Sequence, residues 1–589
     1  MGPETKQCQN CQGNFVVESD DFDFYEKMQV PAPTWCPECR MIRRMLFRNE
    51  RALYKRDCDL CGKGMVSIFA PDKPQTVYCT HCWWSDNWDP GEFHMEYDPN
   101  RNFFEQYSEL LAKAPWANLI VGYSTLVNSD YVNHAGYLKN CYFVFNADRN
   151  ENINYAVAAI DTKDSMDLNE VTKSELCYQD INCHDCYQTH FSEDCSSCSN
   201  VFFSKDLSGC TDCFGCVGLR NRKYCFFNEE LSKEAYEAKM AELRLSSHQQ
   251  IQKVKGEVHA FWKKFPNKFM HGVQNVDVSG DYVRNSKNAH HMYLSAHAED
   301  SKYSQWITTA PAKDVYDCSE WGNGLELGCD SMTVGEGIHN VAFSFGAWDN
   351  CRNIGYSTMV VSCSNMFGCA NMRKKSNCIL NKQYSEGEFK ELREKIIADM
   401  RANPYVDKKG RTYGYGEFFP VELAVFGYNE TSAHQYYPLT KEQALEKGYN
   451  WYDAEPSKHQ VTKTADDLPD DISEVTDDIL KEVIECEGCK VPFRIVSPEL
   501  DQLRRFGFPL PRKCSACRNL ERLNRINRPR LHKRTCQCAG AQSDNGVYQN
   551  TANHPHHGSE QCQNTFETSF DPDRNQIVYC EQCYQGEVT

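Results

Sequence analysis

The sequence contains no run of about 18 apolar residues. Its first residues, MGPETKQCQN, lack a basic-then-apolar leader. The first absence excludes a membrane-spanning helix, and the second predicts a chain that stays in the reducing cytoplasm. An excess of positive charge is also missing: 64 Lys and Arg stand against 82 Asp and Glu, a net charge of −18, which excludes a basic, tail-like protein. No phosphate-cradling glycine loop, nucleophile elbow, HExxH pair or dinucleotide fingerprint is present, so no catalytic residue is assigned and the chain reads as a non-enzyme. What is abundant is cysteine, 33 of 589 residues. In a reducing compartment, CxxC pairs are metal ligands before they are disulfides. The length predicts roughly three to five domains.

The two ends of the chain are copies of each other. Cys8, Cys11, Cys36, Cys39 and Cys58 recur 478 positions later as Cys486, Cys489, Cys514, Cys517 and Cys536. Phe15 recurs as Phe493, and Arg40 and Arg44 recur as Arg518 and Arg522. After a 23-residue insertion the match resumes at an offset of 501, setting Cys61, Cys79 and Cys82 on Cys562, Cys580 and Cys583. Each module therefore reads as two four-thiolate sites. Two cysteines at i and i+3 chelate one ion from a tight knuckle, and a distant second pair completes the tetrahedron. Cys36-Pro-Glu-Cys39 runs into a stretch of good helix formers, as in treble-clef and zinc-ribbon folds. Filling all four positions with thiolate leaves none for water or substrate, the mark of structural zinc, and the expectation is about four zinc ions. Alignment favours Cys536 over Cys538 in the last site. The insertion adds His554, His556 and His557, which permit an HNH-like nuclease reading. The N-terminal copy lacks them, and an exposed His-rich loop is the plainer reading.

From about 121 to 402 the chain becomes short strand-and-turn segments, among them NCYFVF, DCYQTHF and DCFGCVG. Their aromatic centres, Tyr142, Tyr155, Leu168, Tyr178, Tyr187, Phe202, Phe214 and Phe226, step irregularly by about 12 residues. Such strands bury a face only by stacking, so the block reads as a β-solenoid, with a β-sandwich as the alternative. The block is doubled: Phe214-Gly215-Cys216 returns as Phe367-Gly368-Cys369. Each copy ends in a predicted capping helix. In the second, Ser385 and Glu388 form a capping box, with Phe389, Leu392, Ile396 and Met400 on one face. The first copy carries ten cysteines, from Cys141 to Cys225. They read as small buried hydrophobes, with metal or an iron–sulfur cluster as the alternative.

Charge is uneven. Residues 504–534 hold eleven Lys and Arg and one Glu, whereas residues 466–487 hold ten acids and one lysine. The acidic run reads as a solvated spacer. Arg40, Arg44, Arg518, Arg522 and Arg525, on helices that follow zinc knuckles, are the candidate contacts to RNA or DNA phosphates. The competing reading is a protein–protein scaffold on the solenoid, with aromatic stretches such as Trp83-Trp84 and Phe103-Phe104 as anchors or as buried packing. An enzyme acting on carbohydrate would need acids such as Asp161, Asp164, Asp167 and Glu170 to converge.

CPECR before an RNE-containing helix, LYKR before Cys58, WWSDNWDP, GCVGLRNRKYCFFN and the terminal IVYCEQCYQ together resemble uncharacterised bacterial zinc-ribbon (treble-clef-like) proteins with a duplicated Cys-rich β-repeat centre. The resemblance implies architecture and no activity. The expected fold is multidomain and mainly β. A double zinc module (1–110) is followed by solenoid copies with capping helices (121–265 and 272–402), an aromatic strap and acidic linker (403–485), and a second double zinc module (486–589).

Overall fold

The computed structural model describes residues 2–308, 311–455, 459–539 and 548–588. Its centre is a β-solenoid in which each coil pairs in parallel with the next, in the first copy twelve residues on: Tyr187 lies on Ser199, Ser199 on Thr211 and Thr211 on Lys223. In the second copy the step widens in places, to fourteen from Ala298 to Ala312 and thirteen from Lys313 to Glu326. The repeat inside the coil is three residues. Every third residue takes the left-handed backbone conformation, as at Asp161 (φ 53°), Asp164 (47°), Asp167 (58°) and Glu170 (61°), so twelve residues turn four corners. Asparagine and aspartate tolerate this conformation best, which explains their frequency between the strands. Bulky residues such as Phe191 and Phe203 also adopt it, at a cost of about 1–2 kcal/mol each. The ladder offsets that cost, because their backbone N–H groups donate to Tyr178 and His190 carbonyls at 2.8 Å.

The residue after each corner points inward. Cys177, Cys183, Cys186, Cys195, Cys198, Val201, Leu207 and Cys210 fill one continuous core. The cysteines of the first copy are separated by 3, 6, 9, 12 or 36 residues because they all occupy this position. Their thiols donate to carbonyls of their own coil and the next, Cys183 Sγ to Ile181 O at 3.5 Å and to Ser192 O at 3.7 Å. Inward Ser165 and Ser174 accept from the backbone N–H of Cys177 and Cys186 one coil later, at 2.9 and 3.1 Å, so polar inward positions are satisfied as well. The aromatic markers stepped irregularly because they fall on different members of the triplet: Leu168 points into the core, Tyr155 is a corner and Tyr187 is exposed.

Helices Lys233–Glu242 and Glu386–Ala402 pack on the last strands of the two copies. The capping box at Ser385 and Glu388 forms, and Phe389, Ile396 and Met400 are buried, with Leu392 half-buried. The acidic run differs from its reading as a solvated spacer. Leu468, Ile472, Val475 and Ile479 are buried in the core that covers the first copy, and its acids face outward around them. The density of acids had concealed an apolar stripe.

The terminal modules straddle the two solenoid copies reciprocally. In the N-terminal module, helix Pro37–Met45 lies on the second copy, while Val77–Tyr78 pairs in parallel with Trp116–Ala117, just ahead of the first. In the C-terminal module, helix Ser515–Leu523 lies on the first copy, while Val578–Tyr579 pairs with Asn267–Lys268, just ahead of the second. Trp83, Trp88, Phe103 and Phe104 are all buried, Phe103 and Phe104 against Tyr356 of the second copy.

Candidate metal centres

Each of the four predicted quartets comes together. Cys8, Cys11, Cys36 and Cys39 place their Sγ atoms within 4.8 Å of one another, as do Cys58, Cys61, Cys79 and Cys82, then Cys486, Cys489, Cys514 and Cys517, then Cys536, Cys562, Cys580 and Cys583. The edge of a tetrahedron built on ~2.3 Å metal–sulfur bonds is about 3.8 Å. The Cys11–Cys36, Cys61–Cys79, Cys489–Cys514 and Cys562–Cys580 pairs stand at 3.8, 4.0, 3.7 and 3.9 Å. All 33 cysteines are free of disulfide bonds. The arrangement can hold metal ions with every coordination position supplied by sulfur.

The local chain explains the convergence. In the first site, hairpin Glu4–Gln7 and Asn14–Val17 presents Cys8 and Cys11, and the turn closes through a left-handed Gln12 whose N–H donates to Cys8 O at 2.9 Å. Gly62 and Lys490 repeat that turn. The second pair sits at a helix start, with Cys36 as the cap of Pro37–Met45. There the backbone N–H of Cys36 donates to Cys8 Sγ at 3.2 Å, and the same 3.2 Å bond runs from Cys79 to Cys58, Cys514 to Cys486 and Cys580 to Cys536. Donors and a helix N-terminus aimed at sulfur favour the thiolate that a metal needs.

Cys536 joins the last quartet, as the alignment expects, and Cys538 turns to the other side, toward His554 and His557. These histidines are not an exposed loop: His554 is buried, and both imidazoles face thiols. The nuclease reading needs an open position for water, and the histidines have sulfur neighbours there instead.

The candidate phosphate contacts lie elsewhere than expected. Arg40, Arg44, Arg518 and Arg522 are between 0 and 5% exposed. They form two matching seams with the solenoid. Arg40 meets Asp317 at 2.8 Å, and Arg44 meets Asp317 at 3.3 Å and Asp330 at 3.0 Å. Arg518 and Arg522 share Asp167 at 2.8 and 3.2 Å. The match extends to neighbours the sequence reading passed over: Tyr303 donates to Asp21 at 3.0 Å in one seam and Tyr155 to Glu499 at 2.9 Å in the other. Burial pulls against the charge on Arg518, but Asp167 and Glu499 hold its guanidinium well above its ordinary range. Arg525 is ion-paired to Glu193 of the first copy. All five dock the modules on the solenoid, and the buried four, Arg40, Arg44, Arg518 and Arg522, offer no face to a nucleic-acid backbone. A buried guanidinium needs a carboxylate, and the solenoid corners supply it.

The four candidate carbohydrate-active acids disperse, since successive corners face different ways. Asp161 meets Arg149, Asp164 accepts from Asn152, Asp167 holds the seam, and Glu170 is half-buried near Glu320 and Glu50. No pair of them converges on one bond.

A buried cluster around Glu320 joins the two copies. Arg48 lies 3.5 Å from Glu320 of the second copy, and Asn146 of the first donates to the same carboxylate at 2.9 Å. Burial pushes the Glu320 carboxyl up to about 7, with Arg48 pulling it down and Glu50 pushing it up. The folded chain therefore holds a proton here that the unfolded chain releases near pH 4.5. Stability from this group is full below that value, falls as pH rises toward 7, and is constant above. Glu320→Gln is expected to stabilise the chain at pH 8 by up to about 3 kcal/mol and to change little at pH 4. Urea melts at both pH values check this, and an equal effect at the two would contradict it.

No helix among the described residues is long and apolar enough to cross a membrane. No family model matches the chain, and no curated protein matches it. Among solved structures, a chain from Desulfovibrio desulfuricans G20 provisionally described as an acetyltransferase aligns with 57% of this chain and 84% of its own at 10% identity. Its TM-score of 0.11 carries no argument about fold or activity.

Proposed function

We propose that this protein is a non-catalytic, zinc-braced scaffold that binds a protein partner at the open end of the first solenoid copy. Zinc is the ion that all-thiolate tetrahedra suit in a reducing compartment. The observation that carries the partner reading is a cleft of about 1170 Å³ between the second N-terminal metal hairpin and the first solenoid coil. Lys55, Arg56, Asp59 and Asp130 line it together with Tyr123 and Tyr131. Both signs of charge beside aromatic rings fit a polypeptide segment better than a polyanion. Strand Leu126–Val127 ends its sheet at the same cleft, and an edge of this kind can accept an added strand. Tyr123 and Val127 are exposed there. The seams argue against nucleic acid, because they consume the arginines that would have bound it.

A photo-crosslinker placed at Tyr123 of the full chain, in extract of the producing cells, tests the reading. The expected adduct is a discrete polypeptide that survives nuclease and is lost when Val127→Lys puts a charge on the exposed edge. A nuclease-sensitive adduct, or salt-dependent retention of RNA or DNA by the full chain, would overturn it.

A further inference from the structure

We infer that the C-terminal module binds a second metal ion beside its thiolate quartet, held by Cys538, His554, His557 and a Cys583 shared with the quartet. The four donor atoms lie within 4.8 Å of one another. Cys538 Sγ is 3.4 Å from His554 Nδ1 and 3.4 Å from His557 Nε2, and Cys583 Sγ is 3.3 Å from His557 Nε2. The two nitrogens are 3.3 Å apart. A tetrahedron with ~2.3 Å sulfur and ~2.0 Å nitrogen bonds has mixed edges of about 3.5 Å and a nitrogen–nitrogen edge of about 3.3 Å. The cluster matches both.

Hydrogen bonding alone does not account for these contacts. His557 Nδ1 stands 2.7 Å from the backbone carbonyl of Glu560, which only accepts, so Nδ1 carries the proton and Nε2 presents a lone pair. His554 Nε2 stands 2.7 Å from a Glu587 carboxylate oxygen, which sets the opposite tautomer and leaves a lone pair on Nδ1. Two lone pairs therefore face each other in a buried pocket. A cation between them removes the repulsion, and a carbonyl or carboxylate behind each imidazole is the usual support of a metal-bound histidine. Asn550 donates to Cys538 Sγ at 3.0 Å, just as Asn10 and Asn564 donate to Cys39 and Cys580 in the quartets at 3.3 and 3.4 Å.

The N-terminal module is an internal comparison. It lacks the insertion that brings the histidines, and Leu60 stands where the offset places Cys538. Sharing Cys583 also solves a charge problem. Two dications against the five thiolates Cys536, Cys538, Cys562, Cys580 and Cys583 leave one negative charge in a pocket where all five are buried. A second ion with four protein ligands is structural, and it explains how the apolar-poor stretch 548–561 stays folded. The inference stands whether or not the cleft takes a partner.

Cobalt loading of the full chain tests it. Two cobalt ions bridged by one thiolate couple magnetically, so the wild-type chain is expected to show a paramagnetic spin count two below its cobalt count. H554A/H557A is expected to lose one ion per chain and to bring the two counts into agreement. His556→Ala is expected to keep every ion, because His556 Nε2, 3.3 Å from Cys583 Sγ and 3.7 Å from Cys562 Sγ, lies outside the second set of four. A wild-type chain whose spin and cobalt counts agree would overturn the inference, and this readout holds even if the double variant misfolds. So would a double variant that keeps the wild-type metal content.

Discussion

Removing metal from the intact chain with a strong chelator is expected to unfold both terminal modules and leave the solenoid copies folded. A structural zinc site of this kind contributes on the order of 10–16 kcal/mol to the fold it closes, more than a hairpin and a short helix can replace. In the first site, hairpin Glu4–Gln7 and Asn14–Val17 touches helix Pro37–Met45 through the four sulfurs and a few buried side chains, among them Trp35. Without the ion, four thiols are left crowded and the knuckle has nothing to close on. The solenoid cores contain none of the sixteen quartet ligands. They are held by the backbone ladder and by inward Cys, Val, Leu and Ile. Hydrogen exchange on chelated and untreated chain should therefore lose protection in 2–119 and 484–588 while the coils keep theirs. Cys517→Ser should localise the loss to the third quartet. Unchanged protection of the modules after complete metal removal would contradict the assignment of these cysteines.

The metal quartets were legible because cysteine spacing reports a ligand set directly: two CxxC pairs allow few arrangements, and the duplicate at offsets 478 and 501 fixed their pairing. The solenoid was legible as a class, yet its triplet was not, because aromatic residues occupy inward, corner and outward positions alike. The cysteines of the first copy held the signal, since their separations are all multiples of three. The role of the arginines was not legible. Arg40, Arg44, Arg518 and Arg522 recur with their helices, but residue type does not encode burial, and the partners Asp317 and Asp167 sit hundreds of positions away in the other block. The paired recurrence of Asp21 with Glu499 and Tyr303 with Tyr155 would have pointed to an internal interface. Cys538 was visible as a spare ligand, and only the fold shows that two histidines turn toward it.

Asp167→Ala is expected to destabilise the chain by about 3–5 kcal/mol and to release the C-terminal module from the first solenoid copy. The residue is fully buried and is the carboxylate that Arg518 and Arg522 share at 2.8 and 3.2 Å. Taking it away leaves two guanidiniums close together, with Glu499 paired to one and the side-chain Oδ1 of Asn169 accepting from the other at 2.6 Å. Burial already draws Arg522 below its ordinary value, so it is the cation that loses most. The cost comes from stranding charge rather than from losing a favourable bond, because forming a buried ion pair roughly cancels the desolvation of both partners. That distinction makes the test specific. Asp167→Ala combined with Arg522→Leu, which leaves the Arg518–Glu499 pair intact, should recover most of the lost stability, whereas Asp167→Ala alone should not. Asp317→Ala should cost about as much in the other seam, because it leaves buried Arg40 without its carboxylate while Asp330 still meets Arg44 at 3.0 Å. Denaturant melts of the three variants, with proteolysis between 460 and 485 reporting release of the module, measure both effects. If the double variant were as unstable as Asp167→Ala, the seam would be a net source of stability, and stranded charge would not be the reason that its parts recur in both halves of the molecule.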